Sequence, residues 1–164
     1  MWDNAYLEQA KSDWETYQVL TKNSRSACHE LHYLQMTTEK LGKAALLRRG
    51  IPLKHVRVTH RAFVRSLQMA SRNRGLQQVF GINARQLQAY IQGILPIAHQ
   101  IERLAPALAR DGPNVEYPWE DPITGNVYAP ASYHFLVTEH LNRSNGRKLL
   151  RLIHILLDQF DRFF

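Results

Sequence analysis

The sequence predicts an all-α fold, and two observations indicate it. Apolar residues recur at spacings of three and four along nearly the whole chain, which is the period of helices packed on one side. The β-like runs 55–58 and 127–128 are short and isolated, so we predict no strand. The 164 residues have the length of one domain, and 45% of them are hydrophobic, as in globular proteins. We therefore predict five or six helices packed as a bundle in one domain, residues 1–164.

The first two helices are predicted from caps and apolar spacing. Asp3 or Asn4 caps the first helix, and Ser24 caps the second, which covers 25–49. Gly50 is expected to end the second helix, because glycine is the usual residue just beyond a helix C-terminus. The apolar stripe of the first helix consists of Tyr6, Ala10, Trp14 and Tyr17.

Two more helices follow. Thr59 is the predicted cap of a third helix, which contains Phe63, Leu67 and Met69. Asn83 is the predicted cap of a fourth helix, from residue 84 to about residue 110. Pro96 lies inside it, and we expect it to kink or split the helix near Leu95 because proline lacks the N–H that the helix needs.

The segment 111–131 is predicted to be a long loop, since it is rich in proline, glycine and aromatic residues. We expect Tyr117 and Trp119 to pin it to the core, because large aromatic rings are costly to leave in water. A short helix is predicted at 132–141, and a last helix runs from residue 147 to the C-terminus. The buried stripe of the last helix is predicted to be Leu149, Leu150, Ile153, Leu156, Leu157 and Phe160.

Composition limits the classes of function. The net charge of +7 permits a polyanionic partner without requiring one. The single cysteine, Cys28, excludes an internal disulfide and fits a reducing compartment. The first residues do not form a secretory signal, and no apolar run is long enough to span a membrane, so we expect a cytoplasmic protein without a membrane partner.

Three neighbouring residues resemble metal ligands, but the sequence does not predict a metal site. Cys28 and His32 share one helix face, and His29 lies between them. The set lacks a convincing fourth ligand, so a core cysteine beside a half-buried histidine is the preferred interpretation. The sequence therefore predicts no metal and no cofactor.

The last helix carries a pair of residues with the chemistry of RNA cleavage. Arg147 and His154 are seven residues apart, so two helical turns place them on the same face, with Arg151 between them. An arginine can neutralise a scissile phosphate while a histidine moves a proton to or from the ribose hydroxyl or the leaving oxygen. Arg147 and His154 are the predicted catalytic pair; the alternative is the solvated side of an amphipathic helix.

Basic residues gather at three turns, and those at the start of the last helix are the predicted nucleic-acid contacts: Arg143, Lys148 and Arg151. A second cluster surrounds the turn between helices two and three: Arg48, Arg49, Lys54, Arg57, Arg61 and Arg65. Solubility and complementarity to an acidic protein are the alternative explanation. Aromatic and basic residues are not interleaved, so no base-stacking platform is predicted.

The second helix resembles a known family. Its run YLQMTTEKLGKA, at 33–44, is similar to the central signature of HEPN domains: a glutamine, then Glu-Lys, then Lys-Ala. The upstream AKSD at 10–13 and the downstream THRAF at 59–63 also fall where that family has similar residues. The resemblance covers most of the chain, and the part with the most specific motif residues is about fifty residues long.

The resemblance implies a HEPN-like antiparallel bundle of four to six helices, often a homodimer. It implies a prokaryotic toxin–antitoxin or defence setting with a nucleotidyltransferase-type partner. Many members are metal-independent endoribonucleases that use an arginine followed, after four to six residues, by a histidine. Arg147 and His154 meet that spacing, with six residues between them. Lys148 stands where asparagine, aspartate or histidine is more usual in the catalytic type. The function predicted is binding of RNA, of a nucleotidyltransferase partner or of both, and metal-independent ribonuclease activity is left open; the alternative is a non-catalytic interaction or scaffold protein with a basic surface.

The signature residues also have a physical interpretation. Gln35, Glu39 and Lys43 follow one another at four-residue intervals, so a hydrogen-bonded polar seam along the second helix is predicted. Gly42 lets another helix approach closely, at a small cost in helix propensity.

Overall fold

The computed structural model describes residues 1–23 and 25–164, so the predicted cap Ser24 lies outside the described residues. Over the described residues the chain is mainly helical, which confirms the predicted class. The helices there are α1 Trp2–Lys22, α2 Ala27–Arg48, α3 Leu53–Arg57, α4 Ala62–Ala70, α5 Arg74–Phe80, α6 Ala84–Glu102, α7 Pro106–Ala109, α8 Leu136–Asn142, α9 Ser144–Asp158 and α10 Phe160–Phe163. None of them is both long and apolar enough to cross a bilayer.

Helices α1 and α2 form an antiparallel hairpin. Ion pairs between the two helices join early positions of α1 to late positions of α2: Arg48 Nε donates to Asp3 Oδ2 over 2.7 Å, and Lys40 Nζ donates to Asp13 Oδ2 over 2.5 Å. The predicted stripe of α1 faces this interface, with Ala10, Trp14 and Tyr17 buried and Tyr6 half-buried.

Several predicted helix ends are correct because they depend on one or two local residues. Gly50 follows α2 with a φ of +81°, a conformation that glycine adopts without strain. Asn83 accepts from the backbone N–H of Gln86, whose side chain accepts in return from the N–H of Asn83. This capping box begins α6 at its predicted residue.

Other helix boundaries differ from the prediction. Thr59 does not cap the third predicted helix; Arg61 occupies the N-cap position of α4, and its N–H reaches Thr59 Oγ1 at 3.4 Å. Asp3 lies inside the first turn of α1 rather than before it. The short helix predicted at 132–141 is α8, which begins later. The last predicted helix begins three residues earlier and is interrupted at Gln159, between α9 and α10.

Helix α6 crosses the core without a break. Pro96 does not split it: Pro96 and Gln92 are both exposed, so water can satisfy the Gln92 carbonyl, which proline cannot pair. The helix ends at Glu102 rather than near residue 110, and Pro106 starts the separate helix α7 at a position that proline favours.

Several short elements were not predicted, among them α5 at Arg74–Phe80. Residues 53–57 form α3 instead of a loop, and a two-strand antiparallel hairpin, β1 Trp119–Glu120 and β2 Val127–Tyr128, lies inside the predicted loop. The expectation that 127–128 forms no strand is therefore wrong, since a strand of two residues is too short for periodicity to detect.

An aromatic cluster anchors this hairpin. The indole of Trp119 is buried, as predicted, and its ring centroid lies 4.8 Å from that of Tyr133 and 6.4 Å from that of Phe135. Tyr117 is 61% exposed, so its predicted role in pinning the loop is wrong. Its backbone N–H instead bonds to the side chain of the buried Asn114, which turns the chain there and directs the ring outward.

Candidate nucleic-acid interface

Helix α9 has one buried side and one exposed side. Leu149, Ile153, Leu156 and Leu157 of the predicted stripe are buried, Leu150 is half-buried, and Phe160 is buried in α10. The opposite side is exposed, and its charged and histidine residues are here called the α9 face: Arg147, Lys148, Arg151, His154 and Asp158. Its cations lie toward the helix N-terminus and its carboxylate toward the C-terminus, so the face has a positive and a negative end.

The predicted catalytic pair shares this face. Arg147 and His154 are both exposed, and two turns separate them by about 10 Å along the helix axis. No hydrogen bond joins their side chains within the described residues. His154 stacks on Trp14 of α1, with ring centroids 6.4 Å apart and planes inclined by 27°. The structure therefore places the two residues on one surface without bringing their side chains together.

The predicted nucleic-acid-binding residues each contact a different part of the protein. The guanidinium of Arg151 lies over the ring of Phe80, 5.4 Å from its centroid. The backbone carbonyl of Lys148 accepts a 2.7 Å hydrogen bond from the hydroxyl of Tyr90, whose pKa burial raises to about 12. Arg143 occupies the N-cap position of α9 without a side-chain capping bond, and its guanidinium lies 3.7 Å from Glu139. Arg151 is therefore held against an aromatic ring while its charge stays accessible.

Half of the second basic cluster stabilises the fold. Arg48 bridges Asp3 and Asp161, and Arg49 donates to the carbonyl of Phe163. Arg57 lies 4.7 Å from the centroid of the Trp2 ring. Because these side chains already contact the protein, that cluster has fewer charges available for phosphates than the sequence suggests.

The predicted polar seam on α2 is present. Gln35 donates to Glu39 over 2.8 Å, and Lys43 donates to the same carboxylate over 2.7 Å. His60 approaches it as well, with Nδ1 3.8 Å from Glu39 Oε1. The seam lies within the monomer, between α1, α2 and the start of α4, so here it acts as an internal helix–helix contact.

Sequence reasoning missed a buried carboxyl beside this seam. Glu102, at the end of α6, is 4% exposed and accepts the backbone N–H of Val64 over 2.9 Å in the first turn of α4. Burial raises the pKa of Glu102 to about 7, against the lowering effect of this hydrogen bond and one from Phe63. The sequence does indicate that Glu102 is buried: it follows Ile91, Ile94 and Ala98 at helical spacing and so falls on the buried side of α6.

The three residues weighed as metal ligands have other surroundings. Cys28 is buried, with its Sγ 3.3 Å from Ser26 Oγ, and His29 is exposed. His32 Nδ1 lies 3.7 Å from Glu116 Oε1. Within 1–23 and 25–164, no three histidine, cysteine or acidic side chains are grouped closely enough to hold a metal ion.

Comparisons of this chain with protein-family models, with curated proteins and with solved structures find no match. The α9 face and the polar seam are therefore interpreted from their own geometry and charge.

Proposed function

We propose that this chain is a HEPN-like helical domain that binds RNA through the positive end of the α9 face. The resemblance supports the domain type, since Gln35, Glu39 and Lys43 of the similar run form one bonded seam in the bundle. A homodimer, a nucleotidyltransferase-type partner and a toxin–antitoxin or defence setting stay predictions of that resemblance.

One observation carries the binding proposal. Arg147, Lys148 and Arg151 are exposed on two consecutive turns, and among the described residues none of the three forms an ion pair. Cations without a protein counter-charge are free to replace the counterions of a phosphate backbone. The net charge of +7 adds long-range attraction for a polyanion.

Removing two of these charges is expected to weaken RNA binding. The double variant Arg147→Gln, Arg151→Gln should bind a single-stranded RNA roughly tenfold or more weakly at moderate salt, because each charge-assisted phosphate contact is lost. The slope of log affinity against log salt concentration should become shallower by about 1.4, the value for two contacts to a single strand. Fluorescence anisotropy with a labelled RNA measures both quantities.

The matched control is Lys22→Gln, Arg103→Gln, which removes the same charge from exposed positions at the ends of α1 and α6, away from both basic clusters. Its affinity and salt slope should stay near those of the parent. An equal loss of RNA affinity in both double variants would show that net charge, and not the α9 face, accounts for binding. No binding by the parent would favour the alternative, a basic surface for an acidic protein.

Binding without cleavage is expected. A reacting phosphate has to contact both catalytic groups, and the two-turn separation of Arg147 and His154, with His154 stacked on Trp14, does not preorganise them. Incubation of labelled RNA with the parent and with His154→Ala in EDTA should leave the RNA intact in both cases. Metal-independent cleavage by the parent that the variant lacks would contradict this and make the pair catalytic.

A further inference from the structure

Helices α1 and α9 enclose a groove next to the α9 face. Its cavity volume is about 230 Å³, and Trp14, Glu15, His154, Leu157 and Asp158 line it together with Lys11 and Gln18. The floor is apolar and aromatic, while charged and amide groups stand at the rim. Such a mixture suits a flat ring with a polar edge better than it suits a phosphate.

We infer that this groove binds one unpaired base of the single-stranded RNA, with guanine preferred. The inference rests on the proposed function, because the phosphates beside the base would lie on the cations of the α9 face.

Stacking is the first part of the argument. The imidazole of His154 is exposed while it stacks on the buried indole of Trp14, so its outer side offers a supported aromatic surface. The side chain of Leu157, one turn nearer to the α9 C-terminus, adds apolar surface in the groove. Bases stack on aromatic side chains of this kind in proteins that bind single strands.

Charge gives the orientation of the nucleotide. Arg147 and Arg151 lie toward the N-terminus of α9, and Asp158 lies toward its C-terminus, with Glu15 of α1 beside the groove. Lys11 of α1 adds one cation to the groove lining. A phosphate is attracted to the two arginines outside the groove, whereas inside the groove it meets two carboxylates against one ammonium. The sugar–phosphate backbone is therefore expected at the arginine end, with the base directed toward the carboxylates.

The carboxylates also select among the bases. A carboxylate accepts hydrogen bonds and donates none when it is ionised. Guanine presents two adjacent N–H donors on its pairing edge, at N1 and N2, so one carboxylate can accept both. Adenine presents only its amino group on that edge, and uracil presents one N–H between two carbonyl acceptors. Asp158 is the residue placed to read this difference, because it follows His154 on the same helix face.

The test compares three RNAs of equal length and charge, with a central guanine, adenine or abasic site between uracils. The parent should bind the guanine RNA roughly tenfold more tightly than the abasic RNA, with adenine between them. His154→Ala should remove most of the guanine-over-abasic ratio. Asp158→Asn should bring guanine and adenine to similar affinities.

Controls separate this inference from the proposed function. His99→Ala and Glu8→Gln change exposed residues of α6 and α1 outside the groove and should keep the parent's ratios. Equal affinities of the parent for all three RNAs, with the salt dependence intact, would overturn the base site and leave RNA binding standing. A parent that binds none of the RNAs would overturn both.

Discussion

Replacing Gly42 with alanine is expected to lower the free energy of unfolding by about 2 kcal/mol. The new Cβ would lie 2.5 Å from the carbonyl carbon of Ala62, and the backbone N and Cα of Phe63 are also too close for normal contact. Forcing α2 and α4 apart costs about 3 kcal/mol, and the better helix propensity of alanine returns about 1 kcal/mol. Chemical denaturation followed by circular dichroism measures the difference.

Gly93→Ala is the matched control, since Gly93 also lies within a long helix. Its added Cβ would be 3.7 Å from the side-chain amide of Asn145, an ordinary contact distance. This variant should be as stable as the parent or more stable by up to about 1 kcal/mol. A Gly42→Ala protein as stable as Gly93→Ala would show that α2 and α4 do not approach through this glycine.

Replacing Glu102 with glutamine is expected to change how stability depends on pH. The pKa of Glu102 is raised from an ordinary 4.5 to about 7 in the folded protein. Between these values the folded state holds a proton that the unfolded state releases, so the parent loses stability as pH rises. The loss is on the order of 3 kcal/mol when complete. Glutamine stays neutral and can still accept the N–H of Val64, so the variant should gain stability relative to the parent from pH 5 to pH 8.

The charges around Glu102 act in opposite directions on its pKa. Arg61 favours the ionised form and Glu39 opposes it, while burial has the largest effect. Glu8→Gln, at an exposed position of α1, should give a curve parallel to that of the parent. Thermal or urea unfolding between pH 5 and pH 8 measures the free energy of unfolding of each variant. Parallel curves for Glu102→Gln and the parent would contradict the prediction.

Features that depend on neighbours along one helix were predicted from the sequence. The apolar stripe of α9, the end of α2 at Gly50 and the start of α6 at Asn83 each depend on residues a few positions apart. The seam of Gln35, Glu39 and Lys43 is of the same kind, since four-residue spacing alone brings these side chains together.

Features that depend on distant segments were not predicted. The sequence does not indicate that Trp14 meets His154, because about 140 residues separate them and interleaved aromatic and basic residues are recognisable only when they are neighbours along the chain. The different surroundings of Tyr117 and Trp119 depend on Tyr133 and Phe135, which follow the hairpin. For the same reason, the engagement of Arg48 by Asp161 of α10 could not be inferred from charge counts.

The stacking of Trp14 on His154 also has a consequence for the order of assembly. The α1–α2 hairpin closes over a short loop, whereas the contact between α1 and α9 has to bring together segments from opposite ends of the described chain. Contacts of large sequence separation carry the larger chain-entropy cost, so this one is expected to form late in folding. The groove that we propose for a base would then form only when α9 packs against α1.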